Sequence, residues 1–262
     1  MSLKNTSPSD TYRRLLNVQT GIDGTTRKVI DGDGNESSLS VSNNRILLKP
    51  VDSNNTTQFK IENLTGTELF LVDSTNSSVM ALQNYANTQF AYFGNMATNA
   101  FFSANTHHPV GFSSYYGASD LTNPPNFGTG TDPATSFTTS EGNATRASDL
   151  VPYLWYISDD IVIDSVCSLQ GADTATGDVN RMHLMSYDLT SGSTTPISNG
   201  TVVANNSDVD NQGSEQPYLS NTSQWTVVSS SVTAGKVIIA FFRSDSVNSD
   251  YSISIKVKYH LV

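Results

Sequence analysis

Apolar and polar residues alternate in short runs along most of this chain, and turn-forming residues separate the runs. The clearest run is YSISIKVKYHLV, in which Tyr251, Ile253, Ile255 and Val257 alternate with Ser and Lys. Alternation with a period of two is typical of a strand that has one buried face and one wet face. The run KVIIAFFR is apolar on both sides, which predicts a central strand or a strand at a subunit contact.

Several runs of this kind follow Val151, among them VPYLWYI, DIVIDSVCSL, RMHLMSYDL and QWTVVS. Short strands separated by turn residues predict a β-sandwich of the jelly-roll type. Residues 106–149 are rich in Gly, Pro, Thr and Asn, which predicts long loops between a few strands. We therefore place a β-sandwich head at residues 106–262.

Small β-hairpins in series are predicted for residues 21–78, without a helix. Asp31 to Gly34 is a strong turn signal, and Asn63 to Thr67 makes a second turn. Isolated hairpins are marginal in water, and a unit this small usually needs disulfides, metal or oligomerisation. Three chains side by side could supply the missing core, so we interpret these residues as a trimeric β shaft. Its predicted core residues are Phe59, Ile61, Leu69, Phe70, Leu71 and Val72.

Residues 79–105 form a predicted connector for which two structures stay open. Val79, Leu82, Ala86 and Phe93 fall at coiled-coil spacing, so a short trimeric coiled coil is one alternative. Many Asn residues and aromatics are weak helix formers, and Phe90 and Tyr92 alternate with Ala91 and Phe93 as in a strand. We favour β or irregular structure here.

Composition supports a β-rich protein with many turns. The 262 residues are 37% hydrophobic and only 15% charged, while Ser, Thr, Asn and aromatics are plentiful. The net charge of −10 is concentrated beyond the first 60 residues, which are mildly basic. An acidic body argues against general binding of nucleic acid, and the basic first segment could dock an acidic partner.

The chain contains no G-x-S-x-G elbow, P-loop or HExxH motif, so we predict neither an enzyme nor a cofactor. The single cysteine is Cys167, and simple alternation groups it with Ile161, Ile163 and Leu169 as a buried, inert thiol. His107 and His108 form the one histidine pair. Three copies of either could hold a metal on a trimer axis, although loop histidines ahead of Pro109 are the favoured interpretation.

Two further groups of residues are candidates for contacts with other molecules. Tyr115, Tyr116 and Tyr218 lie in loop-like sequence near amides, which suits sugar binding, although tyrosines that pin their own loops are the favoured alternative. Residues 1–20 are a polar lead without an apolar signal region, and no run is long enough to span a membrane. The predicted docking face of this lead consists of Tyr12, Arg13, Arg14, Leu15 and Leu16.

The stretch SPSDTYRRLLNVQTGIDGTTRKVIDGDGNESSLSVS, followed by FKIENLTGTELFLVDSTNS, resembles the N-terminal part of fibre proteins from tailed bacteriophages, particularly marine phages. The phrase F-x-I-x-N…G-T-x-L-F-x-V-D carries most of the resemblance, which covers the first 80 residues and the remainder more loosely. It implies a homotrimer on the exterior of a virion, with N-termini fixed to the particle and C-terminal heads pointing outward.

These observations lead to one main hypothesis and two alternatives. The main hypothesis is a structural virion protein, a trimeric tail fibre that binds virion proteins through its N-terminus and the host surface through its head, with a surface glycan as the candidate receptor. The first alternative is a head fibre or decoration protein on the capsid. The second is a tailspike enzyme that cleaves glycans, against which the absence of long β-helix repeats and of a paired acid motif weighs.

Overall fold

A computed structural model describes residues 16–18, 21–95, 103–112, 125–137, 150–173, 177–210, 217–245 and 250–262. In these residues the chain is all-β, apart from one helical residue at Leu150 and the 3-10 turn that follows it at Val151–Tyr153. The predicted all-β class is therefore confirmed. The chain divides into two compact units, Met1–Ala86 and Asn87–Val262.

Two antiparallel sheets of four strands make up the described part of the first unit. One contains β1 (Asn17–Val18), β2 (Arg27–Ile30), β3 (Glu36–Val41) and β4 (Ile46–Leu48). The other contains β5 (Phe59–Glu62), β6 (Glu68–Asp73), β7 (Ser78–Ala81) and β8 (Asn84–Tyr85). In both sheets every strand pairs with the next strand along the chain. All of these pairings are therefore local in sequence.

The hairpin turns predicted in this unit are present and are held by side-chain caps. Asp31 accepts the backbone N–H groups of Asp33 and Asn35 and the side-chain amide of Asn35, and these bonds lower the pKa of Asp31. Asn63 caps the second turn in the same way, and Gly66 has a φ of 82°. A positive φ favours glycine because a Cβ atom would crowd the backbone.

The described residues of the second unit form two sheets, which we name the β20 sheet and the β19 sheet after a central strand of each. The β20 sheet has the order β16-β12-β20-β9, with β18 beside β12. Its strands are β9 (Thr88–Asn95), β12 (Ile161–Asp173), β16 (Tyr218–Ser220), β18 (Ser231–Val232) and β20 (Asp250–Leu261).

The β19 sheet has the order β10-β19-β13-β14-β17, with β11 beside β19 and β15 beside β13. Its strands are β10 (His108–Val110), β11 (Trp155–Tyr156), β13 (Val179–Asp188), β14 (Ser198–Asn206), β15 (Val209–Asp210), β17 (Trp225–Val227) and β19 (Lys236–Ser244).

A single hydrophobic core lies between these two sheets and makes the unit a β-sandwich. Phe93, Val166 and Ile255 contribute from the β20 sheet, and Met182 and Phe242 contribute from the β19 sheet. The chain crosses from one sheet to the other between the long strands β12 and β13 and again between β19 and β20. The predicted sandwich is therefore confirmed.

The two strand patterns that opened the sequence analysis are also confirmed. In β20, Tyr251, Ile253, Ile255 and Val257 are buried while the intervening Ser252, Ser254 and Lys256 are exposed. In β19, every residue from Val237 to Phe242 is fully buried, and the strand lies between β13 on one side and β10 and β11 on the other.

A second hydrophobic layer lies on the outer side of the β19 sheet. Residues 125–137, which we call the covering segment, contribute Phe127 and Phe137 to it. These rings pack with side chains that point outward from the sheet, including Tyr187 and Phe241. One sheet of the sandwich thus has buried residues on both of its sides.

The structure divides the predicted connector, residues 79–105, differently from the sequence pattern. Residues 79–81 belong to β7 of the first unit, whereas β9 is an edge strand of the sandwich and pairs with β20 over its whole length. The described residues 79–95 are β-structured, so no coiled coil forms there. The second compact unit begins at Asn87, so it includes the later part of the predicted connector.

Of the predicted neighbours of Cys167, Leu169 does share its side of β12, but Ile161 and Ile163 do not, because β12 contains a β-bulge. The pairing of β12 with β20 shifts between Ile163 and Ser165, which inserts one extra residue at Asp164. Ile161 and Ile163 point into the core, but beyond the bulge Val166 takes the inward position and Cys167 points outward, half-buried.

Candidate functional site

On one side of the sheet β5-β6-β7-β8, the strands β5, β6 and β7 present paired apolar residues, which we call the hairpin face, and β8 adds Asn84 beside them, opposite Ala81. Residues directly opposite each other on paired strands point to the same side. Phe59 lies opposite Val72, which lies opposite Val79, and Ile61 lies opposite Phe70, which lies opposite Ala81. The hairpin face therefore consists of Phe59, Ile61, Phe70, Val72, Val79 and Ala81.

The chain leaves the hairpin face largely uncovered. Phe59 is 39% exposed, Ile61 is 46% exposed and Val79 is 39% exposed. Phe59 and Phe70 touch edge to face, with ring centroids 6.0 Å apart, so the aromatic rings shield one another only in part. Contiguous exposed apolar patches on a soluble protein generally mark an interaction surface.

The opposite side of this sheet is mixed in character. It carries Leu69, Leu71 and Met80 together with the ion pair between Lys60 and Glu62, whose Nζ and Oε1 atoms are 2.6 Å apart. Leu71 is already buried within one chain, whereas Leu69 is 37% exposed. The six predicted shaft residues thus lie on two sides of one sheet, four of them on the hairpin face.

The predicted docking residues Tyr12, Arg13, Arg14 and Leu15 lie outside the described residues. Leu16, the last of the group, is 73% exposed and immediately precedes β1.

Of the predicted receptor tyrosines, Tyr115 and Tyr116 also lie outside the described residues. Tyr218 lies on β16 at the edge of the β20 sheet, where its hydroxyl accepts a hydrogen bond from the Nε2 atom of Gln224 at 2.8 Å. Gln224 also caps the backbone of Asn221 through its Oε1 atom. This arrangement fits a tyrosine that holds its own loop, although the ring is still 37% exposed.

The outer side of the β20 sheet carries exposed aromatics that the sequence analysis did not single out as a site. Phe90 is 46% exposed and Tyr92 is 52% exposed, both on the outer side of β9. Lys258 lies opposite Phe90 and Lys256 lies opposite Tyr92, and the Nζ atom of Lys256 is 4.2 Å from the centroid of the Phe90 ring. We call these four residues the open face.

The signal for the open face was present in two separate parts of the sequence. Alternation in YSISIKVKYHLV assigns both lysines to a wet side, and alternation around Ala91 assigns both aromatics to the opposite side from Phe93. Only the pairing of β9 with β20 joins the two signals, and strands so far apart in sequence cannot be paired from their patterns alone.

His107 and His108, which the sequence favours as loop histidines, are both buried in the head. His107 is fully buried and His108 is 4% exposed, and His108 begins β10 rather than lying in a loop. The Nε2 atom of His108 accepts the backbone N–H of Ser103 at 3.1 Å. Neither imidazole is thus presented at a surface where three copies could surround a metal ion.

His107 instead packs against a third histidine, His183, which points outward from the middle of β13. The ring centroids are 5.1 Å apart and the planes are at 78° to one another. Both side chains are fully buried beneath the covering segment. Sequence inspection missed His183 because RMHLMSYDL is apolar on both sides of this residue, a pattern that gives no sign of a polar partner.

Burial lowers the pKa of His183 to about 3 and the pKa of His107 to about 4. Desolvation is the largest cause for both, because it disfavours the charged imidazolium. Nearby positive charges add to the effect, from Arg181 and Arg243 for His183 and from Arg243 for His107.

The carboxylate of Asp132 lies close to His183, but it does not offset the effect of burial on the pKa of His183. The Oδ1 atom of Asp132 is 3.4 Å from the Nε2 atom of His183, yet within the described chain no hydrogen bond satisfies either ring nitrogen of His183. Asp132 keeps 53% of its side chain in solvent, so water screens its attraction for the imidazolium. Burial therefore outweighs this carboxylate, and both histidines are neutral at pH 7.

The described residues contain neither a candidate metal centre nor a helix that could span a membrane. No three His, Cys, Asp or Glu side chains in these residues converge in a way that could hold a metal ion. No helix in the same part of the chain is long and apolar enough to cross a membrane.

Comparisons with known proteins supply no family and no relative for this chain. No protein-family model, no curated protein and no solved structure matches it.

Proposed function

We propose that this chain is a structural virion protein, a trimeric phage fibre that is fixed to the particle by its N-terminal residues and carries a β-sandwich head. The single observation that supports the proposal best is the hairpin face, an apolar surface that one chain does not cover. The phage-fibre resemblance of the same residues, seen in the sequence, is the second support.

Energetic reasoning favours burial of the hairpin face between copies. Full burial of one Ile or Phe side chain contributes about 1.5–3 kcal/mol, so several such side chains from each of three chains would provide a substantial shared core. Within the first unit, the described residues that are buried in a single chain are few: Ser40, Leu71 and Asp73. Self-association would supply the core that this unit lacks.

Sedimentation of the full chain and of two variants tests the assembly. We expect the wild-type protein to sediment as a trimer at micromolar concentration. Ile61→Asp should dissociate it, because each carboxylate would have to be buried in the shared apolar core.

Lys60→Asp is the matched control for this experiment. It places the same carboxylate one residue away, on the mixed side of the sheet, and should leave the trimer intact. A wild-type protein that sediments as a 28.2 kDa monomer would refute the trimer. Two variants with the same effect would show that the hairpin face is not the surface that the copies bury.

We further propose that the head meets the host surface through the open face. Exposed aromatics beside lysines can stack on a ligand and pair with its anionic groups, and the remainder of the molecule is acidic. Imaging of particles bound to host cells tests this orientation, and imaging of free particles separates the tail fibre from the alternative, a capsid head fibre or decoration protein.

A further inference from the structure

The buried pair of His107 and His183 lies at the point where the covering segment is fastened to the β19 sheet. The backbone N–H of His107 donates to the carbonyl of Gly128 at 2.9 Å, and the N–H of Phe127 donates to the carbonyl of His107 at 3.0 Å. The Nδ1 atom of His107 is also 3.2 Å from the carbonyl oxygen of Gly128. His107 therefore holds one end of the covering segment.

Charged groups that face the pair come from every element packed around it. Arg181 and Arg243 lie opposite each other on β13 and β19. His108 follows His107 directly, and Asp132 comes from the covering segment itself. The Nε atom of Arg181 lies 3.8 Å from the Oδ1 atom of Asp208, and its Nη2 atom donates to the side-chain oxygen of Asn205. Arg243 donates to the backbone carbonyl and to the side-chain oxygen of Asn105. The site is thus basic on the sheet side, with a single half-solvated carboxylate above it.

We propose that His107 and His183 form an acid-operated latch, in which protonation of the two imidazoles releases the covering segment, residues 125–137, from the β19 sheet. Two positive charges would be formed in a dry site that already faces two guanidinium groups. Moving the covering segment away admits water to both imidazoles and relieves that repulsion. The sheet beneath stays paired because β13 and β19 form an uninterrupted ladder from Asn180 to Asp188.

The direction of the pH dependence follows from linkage. Each imidazole titrates near its ordinary pKa of 6.5 when the latch is open, and near 4 or 3 when it is closed. The closed form is fully favoured above pH 6.5 and loses its advantage as the pH falls toward 4. Between those limits, each histidine raises the ratio of open to closed protein about tenfold for every pH unit by which the pH falls.

Opening would expose the second hydrophobic layer of the head. Phe127 and Phe137 would leave the sheet, and Tyr187 and Phe241 would lose their cover. Release of this layer would thus convert a polar outer surface into an aromatic one at acidic pH, which goes beyond the proposed role in attachment at neutral pH.

Hydrogen exchange of the full chain, followed by mass spectrometry at pH values from 7.5 to 4.5, tests the latch. Variant and wild-type proteins are compared at the same pH, so that the intrinsic exchange chemistry cancels. We expect amides of residues 125–137 in the wild-type protein to lose protection below pH 6.5 while β13 and β19 stay protected. Binding of the dye ANS should rise over the same range.

Variants with opposite expected effects make the result specific. His183→Gln should move the opening to lower pH, because one titrating group is gone. Asp132→Asn should move it to higher pH, because the protonated pair loses the one carboxylate that faces it, and this half-exposed site should tolerate the change even if His183→Gln does not fold. His260→Gln, which removes the histidine paired with Asp164 at 2.8 Å, serves as the control and should not change the opening.

Two outcomes would overturn the latch. One is a covering segment that stays equally protected at pH 7.5 and pH 4.5. The other is a loss of protection that strikes the covering segment and both sheets together, at the same pH in the wild-type protein and in every variant.

Discussion

Gly200 shows how one missing side chain permits a layer of this protein to form. Gly200 lies on β14, and its N–H donates to the carbonyl of Thr135 in the covering segment at 2.8 Å. A Cβ atom there would lie 2.5 Å from the Cε1 atom of Tyr187 and 2.9 Å from the Cα atom of Thr135. Tyr187 cannot easily move, because it is fully buried and its hydroxyl donates to the carbonyl of Ala134.

Gly200→Ala is therefore expected to destabilise the protein by about 1–3 kcal/mol, the usual cost of overpacking. Urea unfolding followed by tryptophan fluorescence measures this change. Gly171→Ala is the matched control, since Gly171 is also in a strand and has open space around its Cβ position. Its stability should stay unchanged or rise by less than about 1 kcal/mol. Equal losses in the two variants would contradict this explanation.

Single residues of this kind mark the limit of sequence reasoning. A glycine within a strand pattern indicates close approach of another group, but the identity of that group depends on the tertiary structure. The same limit applies to His183, whose partners His107 and Asp132 come from distant segments. The turn residues Asp31 and Asn63 could be predicted because all of their hydrogen bonds are local.

Among the strands, β12 departs most informatively from a simple pattern. One extra residue at Asp164 changes which side of the strand each later residue faces. Val166 is 1% exposed as a result, whereas Cys167 points to the outer side, directly opposite Lys256. Periodicity succeeded for β20, which alternates without interruption from Tyr251 to Val257, and failed for β12 because a bulge leaves no reliable mark on the sequence.

The bulge predicts a difference in thiol reactivity between two neighbouring positions. Cys167 should react with a small thiol reagent in the folded protein. In a Cys167→Ser background, Val166→Cys should react on the order of a hundredfold more slowly, because that thiol becomes accessible only when the structure opens. Labelling rates with and without urea measure the effect. Faster reaction of the cysteine at position 166 would mean that β12 has no bulge.

The whole molecule consists of two units that obtain their stability by different means. The sandwich, Asn87–Val262, has an extended core between its sheets and a second layer outside one of them. In the first unit, Met1–Ala86, the described residues form two small sheets and few of them are buried. Hydrophobic patterning predicted both the sandwich and the coreless hairpins. It did not predict that β9 belongs to the sandwich, because its partner β20 lies far along the chain.

This division predicts different behaviour for two fragments. Residues 87–262 alone should fold cooperatively, with a urea midpoint independent of protein concentration. Residues 1–86 alone should lose β structure on dilution, because their stability depends on association. Circular dichroism at several concentrations checks both expectations. A stable, monomeric fragment of residues 1–86 would show that the first unit needs no partner chain.

The position of β20 between β9 and β12 also sets the order in which the protein can fold during synthesis. Every hairpin of the first unit pairs neighbouring strands, so it can form as soon as it leaves the ribosome. The β20 sheet must wait for residues 250–261, because β9 and β12 have no shared neighbour until then. Hairpin faces on neighbouring nascent chains are thus available to one another before any head has closed. Assembly from the N-terminal unit toward the head is the order that this topology favours.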